Sequence, residues 1–502
     1  MSPITALTEY FTSPSGGFVT VHDGVVHNPL GAASYVYKKE LAKPLLRTLG
    51  LIPPSAHLPS SCVSGTEDKD EDAASVVSAA DSGVSLMGTT SSTTLFIHIG
   101  AQPNNSPHAG TIITFALAFY LGQLLQREYP KLRARALAIR PEDVALWVDD
   151  LRVVVKLDLV DTAPDSSRTE VHDGIFYQFS HRKTGTMNAY LQDYRQLIEE
   201  LEREVEGEVT AEIGNQEDLM RMPAMRDAIR TIIRDRERIA AELAPERETL
   251  AMRSACPVDG CGMADKHGVK TEYVVESDVT VLKFYCPMHG PYTLTLEEPD
   301  QLARLELNTP LRNLARALVY MSDTEDSRVG GRAVPSRIHM RLTGMDYAGS
   351  YQEQLLHRQL FRLKYIAEPP LRDIIDFPIV FYAPLITDWS GAKLSKSLYV
   401  KAGAYEYLEQ HGKTYLLEYK RMVKDGKDRK ILFDMVRKWV ERPAKLFRTY
   451  SIEYVHLHYE QGTQGDLKSR MKVGLTSPLV VGVFLGMALM YGLGVVQQVP
   501  CV

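Results

Sequence analysis

Residues 95–100, Leu-Phe-Ile-His-Ile-Gly, constrain the fold of this 502-residue chain more than any other stretch. This apolar run is bounded by turn residues and predicts a buried strand. A polar loop follows it, and "IITFALAFYLGQLLQ" (112–126) then has the length and spacing of a helix packed on a sheet. A second apolar run, at 143–150, predicts the next strand. The order strand, loop, helix, strand predicts a doubly wound, Rossmann-like α/β domain with a parallel sheet.

Doubly wound domains bind their ligands at the carboxyl ends of the strands. The loop after Gly100 and the acids that close the second run are both expected there. The residues predicted for this edge are Asn105, His108, Gly110, Thr111, Asp149 and Asp150. His108 stands where the loop enters a helix, so backbone N–H groups and the helix dipole favour an anion there. The paired acids are suited either to binding a cationic group of a substrate or, equally, to capping a turn.

A second phosphate-binding element is predicted late in the chain, in the glycine-led loop "GAKLSKS" (391–397). Lys393 and Lys396 can neutralise charge on phosphates, and Ser395 and Ser397 add hydroxyl groups. Taken singly, a His-x-Gly turn or a Lys/Ser loop is commonly structural. Together, on either side of an inserted region, the two elements predict one polyphosphate site.

A structural zinc site is predicted from two short turns, "CPVDGCG" and "CPMHG", joined by a β-hairpin expected at 269–285. The predicted ligands are Cys256, Cys261, Cys286 and His289. Three thiolates and one imidazole can close a tetrahedral zinc site, and closed coordination serves scaffolding rather than catalysis. The alternative is four unrelated buried residues.

The chain divides into seven predicted segments. They are an N-terminal cap (1–58), a disordered insertion rich in small and acidic residues (59–94), the first half of the catalytic domain (95–187), a helical and zinc-ribbon insertion (188–337), the second half of the catalytic domain (338–400), a basic helical region (401–470) and an apolar tail (473–496). The sheet is therefore expected to be split by the insertion and to resume near Ile338.

The chain resembles the class I aminoacyl-tRNA synthetases, whose two signatures are similar to "PHAGT" (107–111) and "KLSKS" (393–397). It is further similar to the archaeal-type class I lysyl-tRNA synthetases in the acidic run at 149–152, the cysteine ribbon and the turn Gly344-x-Asp346. The resemblance covers 95–399 in ordered pieces. It implies a class I synthetase type of fold, with Gly344 and Asp346 at the substrate site. Thr111 stands where these families more often have histidine or asparagine.

A short carboxyl-terminal region beside a synthetase-like core is similar to the fungal arginine-containing cyclodipeptide synthases. This resemblance implies use of two aminoacyl-tRNAs, one of them arginyl-tRNA, to make a cyclic dipeptide in secondary metabolism without ATP. The runner-up is a class I ligase that activates lysine or a similar amino acid with ATP. The third hypothesis is an inactive, tRNA-binding regulatory protein.

Residues 413–448 contain 12 lysines and arginines against 5 acids, with Tyr419, Phe433 and Trp439 interleaved. This pattern predicts either an RNA-backbone surface or a helical hairpin with one apolar and one solvated face. The whole chain has a net charge of -6, so it is not a polycation that would bind nucleic acid over its entire surface. We expect no DNA partner.

The apolar tail at 473–496 carries no charge over a length that can span a bilayer, and three basic residues precede it. We expect a tail anchor with the main body on the cytosolic side; the alternative is a buried helix or strand of a cytoplasmic protein. The five cysteines are odd in number and unevenly spaced, so we expect no disulfide framework and a reducing compartment.

Overall fold

The computed structural model describes residues 40–53, 92–160, 164–180, 182, 185–323, 326–329, 332–348, 356, 358–363, 378–394 and 405–461. Its strands are β1 (Ser92–Ala101), β2 (Asp150–Leu159), β3 (Pro164–His172), β4 (Ile175–Ser180), β5 (Thr210–Asn215), β6 (Met252–Ser254), β7 (Met263–Asp265), β8 (Glu272–Val275), β9 (Thr280–Cys286), β10 (Gly290–Thr295), β11 (Leu305–Leu307), β12 (Asp326–Val329), β13 (Arg332–Pro335), β14 (Arg337–Gly344), β15 (Ile379–Ala383), β16 (Ile386–Thr387) and β17 (Tyr450–Ser451).

The α-helices are α1 (Ala42–Thr48), α2 (Ala109–Ile139), α3 (Leu191–Glu204), α4 (Gln216–Met220), α5 (Pro223–Arg234), α6 (Arg236–Leu243), α7 (Pro299–Leu302), α8 (Thr309–Ser322), α9 (Arg358–Leu363), α10 (Glu406–Gln410), α11 (Tyr419–Lys424) and α12 (Lys430–Glu441). Residues 452–461 are also helical. Of the predicted N-terminal cap the structure describes 40–53, while 59–91 of the predicted disordered insertion and the whole apolar tail lie outside the described residues.

Five strands form the central sheet in the order β15-β14-β1-β2-β5, and every neighbouring pair in it is parallel. The predicted mixed α/β architecture with a parallel sheet is thereby confirmed. The strand predicted at 95–100 lies within β1, which begins at Ser92, so the last residues of the predicted disordered insertion belong to the sheet. A parallel strand order that spreads to both sides of β1 is typical of a Rossmann-like fold.

Helix α2 covers one face of this sheet. Alternate side chains of β1 point to this face, namely Leu95, Ile97 and Ile99. They pack against α2 in a large hydrophobic cluster. By length and composition α2 is also apolar enough to cross a membrane, but 72% of its most apolar stretch is buried inside the protein. Its apolar surface is therefore accounted for by the core that it builds.

Strand β5 lies within the segment predicted as a helical and zinc-ribbon insertion (188–337), yet it belongs to the central sheet. Its sequence, "TAEIGN", is partly exposed and, among the described strands, pairs with β2 alone, so it is the edge strand of the central sheet. An edge strand needs little apolar surface, and for that reason the hydrophobic pattern failed to predict it. The insertion begins after Asn215 and ends before β14.

Within the insertion a second hydrophobic cluster joins α5, α8 and the strands around the cysteine turns. The predicted β-hairpin is present, since β8 and β9 pair antiparallel from Glu272 opposite Lys283 to Val275 opposite Thr280. Helix α8 belongs to this cluster and also lies against the face of the central sheet opposite α2, because residues of β15 share the same cluster.

Candidate functional site

Helix α2 starts at the predicted phosphate-binding loop, and His108 is its N-cap residue. The His108 backbone is extended, and its Nδ1 accepts hydrogen bonds from the backbone N–H groups of Gly110 at 3.1 Å and Thr111 at 3.4 Å. Two of the helix's first N–H groups are thus satisfied by the imidazole. Because Nδ1 accepts, a neutral His108 carries its proton on Nε2, where it can donate to an oxygen of a ligand.

Gly110 is required by the close approach of this cap. A Cβ at position 110 would lie 3.0 Å from Cε1 and 3.1 Å from Nδ1 of His108, and 3.7 Å from Cβ of Ile386. A side chain there would push the imidazole away from the helix end. The residue therefore sets the position of His108.

A cavity of about 190 Å³ opens at the carboxyl end of the central sheet, beside this helix start. Six predicted site residues line it: His108, Gly110, Thr111, Gly344, Asp346 and Lys393. They come from three stretches that are far apart in sequence, namely the start of α2, the end of β14 and the loop after β16. The structure thus brings the two predicted phosphate-binding elements to one cavity.

An ion pair lines this cavity. Lys393 Nζ lies 2.5 Å from Asp346 Oδ2, and the same ammonium lies 5.7 Å from the ring centre of Tyr347. Both side chains of the pair are partly exposed, so an anionic ligand can reach the ammonium. The Asp346 carboxylate also lies close to Gly344, where a Cβ would stand 2.4 Å from Asp346 Oδ1 and the carboxylate would have to shift.

The loop before His108 is tied to the carboxyl-terminal region. The backbone N–H of Tyr419 donates to the Pro107 carbonyl at 2.6 Å, and that of Lys420 donates to Ser106 Oγ at 3.1 Å. Tyr419 itself is buried, and its hydroxyl donates to Glu200 Oε1 at 3.0 Å. The region after β16 thus holds the loop that positions the helix start.

Other predicted residues lie elsewhere. Asn105 is in the same loop, and its Nδ2 lies 3.5 Å from Asn104 Oδ1, but it does not line the cavity. Ser395, Lys396 and Ser397 lie outside the described residues.

Asp149 and Asp150 correct the expected location of the paired acids. The run at 143–150 is not a strand: Pro141–Leu146 is a 3-10 helix, and β2 begins only at Asp150, opposite Ser92 at the start of β1. Pro141 and the acids that follow it favour a helical first turn over a strand. Both acids therefore lie at the amino edge of the sheet, away from the cavity, and Asp149 pairs with Arg133 at 2.8 Å.

The sequence did not predict a buried polar cluster that lies on the sheet face opposite α2. It unites His98 of β1, Asp158 of β2, His339 of β14 and Tyr320 of α8. His98 Nδ1 lies 3.1 Å from Asp158 Oδ2, His98 Nε2 lies 3.0 Å from His339 Nδ1, and the Tyr320 hydroxyl donates to Asp158 at 3.0 Å. His339 lies opposite Phe96 and Asp158 opposite Gly100, each two residues from His98 in the strand register, so the three side chains share one sheet face. A histidine within the apolar run of β1 was the available signal in the sequence.

The contacts of this cluster extend to Asp323. They run from Asp158 through His98 and His339 to Asp323, the last at 3.3 Å. Burial lowers the pKa of His98 even though Asp158 opposes this effect.

Asp158 remains ionised in this buried position. Burial raises its pKa, but the charge of Arg316 and the interactions with His98 and Tyr320 more than offset that effect, so the pKa lies well below its usual range. A cavity of about 30 Å³ adjoins this cluster and shares Gly100 with the larger cavity.

The predicted zinc ligands converge at the base of the ribbon. One ligand atom from each of Cys256, Cys261, Cys286 and His289 lies within 4.8 Å of the others. The Cys261–Cys286 sulfur separation is 3.7 Å, and His289 Nδ1 lies 3.6 Å from Cys256 Sγ and 3.5 Å from Cys286 Sγ. A tetrahedral zinc ion with its usual bond lengths separates two sulfurs by about 3.8 Å and sulfur from nitrogen by about 3.6 Å. These four residues lie close enough to bind a metal ion, and their distances match zinc.

The aromatic residues of 413–448 are part of the core. Tyr419, Phe433 and Trp439 are each at most 2% exposed, and they belong to the cluster that contains α2. Among the basic residues of the region, Arg429 pairs with Glu200 at 2.6 Å and Lys430 with Glu204 at 2.8 Å. Of the two predicted alternatives, the structure fits the helical region with one apolar and one solvated face.

Comparison with known proteins adds little to this geometry. No protein-family model matches the chain, and no curated protein matches it. Among solved structures 14 chains match, including arginyl-tRNA synthetase of Thermus thermophilus, with a TM-score of 0.25 and 12% identity. That match covers 73% of this chain and 60% of the synthetase, which is less than two thirds of its length. A TM-score this low supports no argument about fold or function.

Proposed function

We propose that the chain is an enzyme of the class I synthetase type, which binds the adenosine and phosphate groups of its substrate in the 190 Å³ cavity and activates an amino acid with ATP. One observation carries this proposal. A capped helix start, an accessible ammonium and a glycine turn meet at the carboxyl end of a parallel sheet, where such folds bind nucleotides.

The described residues support distinct roles. In the ion pair with Asp346 the Lys393 ammonium is held at the cavity, and it can exchange this carboxylate for phosphate oxygens when a nucleotide binds. His108 Nε2 donates to a phosphate or leaving-group oxygen, while Nδ1 stays committed to the helix. Lys396 and the two serines of the same loop are assigned to phosphate contacts by sequence alone.

The decisive experiment is ATP–pyrophosphate exchange across the amino acids, with Lys393→Met as the inactive comparison. Exchange that depends on one amino acid and on Lys393 supports the ligase. A parallel reaction contains total tRNA, synthetases and labelled arginine. If it yields a ribonuclease-sensitive cyclic dipeptide while exchange is absent, ATP activation is overturned.

The arginine-containing cyclodipeptide synthase stays the second candidate, because of one feature of the carboxyl-terminal region. A ligase must read its tRNA, yet the aromatic residues at 413–448 that were candidates for this role are buried in the core. An enzyme that consumes finished aminoacyl-tRNAs, arginyl-tRNA among them, needs contacts only with the acceptor end. Both candidates use the same cavity for adenosine and phosphate.

We further infer that the four clustered ligands bind structural zinc. A closed set of three sulfurs and one nitrogen leaves no position for a substrate. Burial raises the pKa of Cys256 to about 12, so a bound cation is needed to keep that sulfur ionised at neutral pH. One equivalent of zinc by elemental analysis supports this assignment, and less than half an equivalent contradicts it.

The tail at 473–496 is proposed to anchor the main body at the cytosolic face of a membrane. Its uncharged length and the basic residues before it support this location. Fractionation of full-length protein beside a form ending at 472 tests it: loss of membrane association in the short form is expected, and equal partitioning of both forms contradicts an anchor.

A further inference from the structure

Tyr347 brings an aromatic ring to the Lys393–Asp346 pair. It ends the short 3-10 helix Met345–Tyr347 that follows β14, and it lines the 190 Å³ cavity. Its side chain is partly buried. Two consecutive residues, Asp346 and Tyr347, therefore lie at the same ammonium group.

Two cations lie near the ring of Tyr347. The Lys393 ammonium is 5.7 Å from the ring centre, and the central guanidinium carbon of Arg341 is 5.8 Å from it. The face of an aromatic ring attracts a cation within about 6 Å, so both distances fall in the effective range. Arg341 belongs to β14 and lines the 30 Å³ cavity beside the polar cluster. The ring thus contacts one cation from each cavity.

The position of the ring is fixed by packing. Tyr347 and Ala348 pack against the second hydrophobic cluster, and Met345 of the same 3-10 helix is buried within that cluster. The backbone N–H of Ala348 donates to the Met345 carbonyl at 3.0 Å and closes the turn. A lysine ammonium sits on a flexible four-carbon stem, so a ring held in this way can restrict where the ammonium lies.

The ring and the carboxylate hold the Lys393 ammonium with different consequences for an incoming phosphate. Asp346 is an anion, so it competes with phosphate oxygens for the ammonium and repels them while it stays close. The Tyr347 ring attracts the ammonium without a net charge of its own. An ammonium has three N–H groups, and contact with the ring leaves some of them available to phosphate oxygens. Lys393 can therefore exchange Asp346 for phosphate and keep its contact with the ring.

We propose that Tyr347 is a positioning residue for Lys393, whose ring holds the ammonium at the 190 Å³ cavity after phosphate has displaced Asp346. The proposal rests on the proposed function, because phosphate groups of the substrate are the ligands that displace the carboxylate. An ammonium held in place is preorganised for the charge that develops on the phosphates during reaction. Loss of the ring should therefore lower kcat more than it raises KM for ATP.

The contact itself is tested by a spectroscopic measurement that does not depend on any reaction. In the full chain labelled with ¹³C at the lysine ε-carbon, the Lys393 signal is identified by its loss in Lys393→Met. The ring current of Tyr347 should shift the ε-proton signal of Lys393 upfield. Tyr347→Leu should return this signal to the position of an ordinary lysine, and Tyr347→Phe should keep it shifted. Equal positions in the native chain and in Tyr347→Leu overturn the proposal.

The effect on the reaction is tested by ATP–pyrophosphate exchange. We expect kcat to fall about 3–30-fold in Tyr347→Leu, which is the size of a cation–π contact that is partly to fully shielded from water. Tyr347→Phe keeps the ring face and should retain kcat within about twofold. The matched control is Tyr273→Leu, at a ring that packs against the same cluster and lies 5.9 Å from the guanidinium carbon of Arg236. It should change neither kcat nor the Lys393 signal.

The outcomes separate the positioning role from the proposed function. Equal losses of kcat in Tyr347→Leu and Tyr273→Leu would give the ring a structural role only, and equal losses in Tyr347→Leu and Tyr347→Phe would assign the effect to the hydroxyl; either result overturns the proposal. Exchange activity with an unshifted Lys393 signal keeps ATP activation and overturns the positioning role. A Lys393 signal that depends on Tyr347, in a chain without exchange activity, overturns ATP activation and supports the contact.

Discussion

The ribbon and the 190 Å³ cavity both contain residues predicted in the sequence, yet they are assembled in opposite ways. The four ribbon ligands lie within 34 residues and close on one another within 4.8 Å. The cavity residues come from His108 to Lys393 and stay open around a space. A closed set holds an ion and stiffens the chain, whereas an open set keeps groups available to a ligand. Substitutions should therefore damage stability at the ribbon and activity at the cavity.

The largest effect is expected from Cys286→Ser. Cys286 is buried, and structural zinc contributes about 10–16 kcal/mol to folding in isolated zinc-finger peptides. We expect metal content below half an equivalent and loss of amide-exchange protection in β8–β10, with protection of β1 and β2 kept. Met288→Ser changes the same turn at a residue that is 64% exposed, and it should retain the metal. Full zinc content in the Cys286→Ser variant would contradict the assignment of Cys286 as a zinc ligand.

Lys393→Met should reduce activity with little effect on stability, whereas Cys286→Ser should reduce stability. Loss of one preorganised charge at reacting phosphates costs about 10²–10³-fold in rate, whereas a partly exposed ion pair adds only about 0–1 kcal/mol to stability. The measurements are exchange rate and thermal unfolding. Lys131→Met, which removes a similarly exposed pair with Glu128 at 2.8 Å, should leave the rate unchanged. A large drop in melting temperature with Lys393→Met would give the pair a structural role.

Gly344→Ala tests whether the cavity depends on exact placement. The new Cβ would stand 2.4 Å from Asp346 Oδ1 and force that carboxylate away from Lys393. A displacement of about 1 Å in such a site costs up to about 10²-fold in activity. Gly214→Ala is the control, at the carboxyl end of β5. A Cβ there would lie 3.8 Å from its nearest neighbour, a side-chain carbon of Lys156, so activity should be unchanged. Equal activity of the two variants would show that Asp346 is not a positioning residue.

The smallest effect concerns the polar cluster behind the sheet, which is built from buried side chains. An unfolded histidine takes up a proton near pH 6.5, while native His98, with its lowered pKa, stays neutral to lower pH. The unfolded state then binds more protons, so stability falls as the pH drops below about 6.5. The fall is about 1.4 kcal/mol for each unit of pKa difference.

Denaturant unfolding between pH 7 and 5 should therefore give a flatter slope for His98→Asn than for the native chain. His411→Asn, at an exposed histidine, is the control and should keep the native slope. An unchanged slope in the His98 variant would mean that this imidazole titrates normally in the folded protein.

Local patterns explain what the sequence could predict. The strand around Ile97, the helix that starts at His108 and the ribbon each depend on neighbours in the chain. Two errors had different causes. Asp149 was misplaced because the local signal of Pro141 for a helical turn was overlooked in an apolar run. Strand β5 was not predicted because it is hydrogen-bonded to the distant β2 without an apolar pattern of its own. His98 and His339 are 241 residues apart, so no local pattern could bring them together.

The strand order has a consequence for protein engineering. The chain leaves the central sheet at β5 and returns at β14, with β2 and β1 between them. At the usual strand spacing these two strands are about 14 Å apart, and the exit and return points lie at opposite ends of the sheet. The insertion therefore cannot be excised and its ends simply rejoined. A minimal catalytic domain needs a replacement crossover that spans three strand spacings and the full height of the sheet.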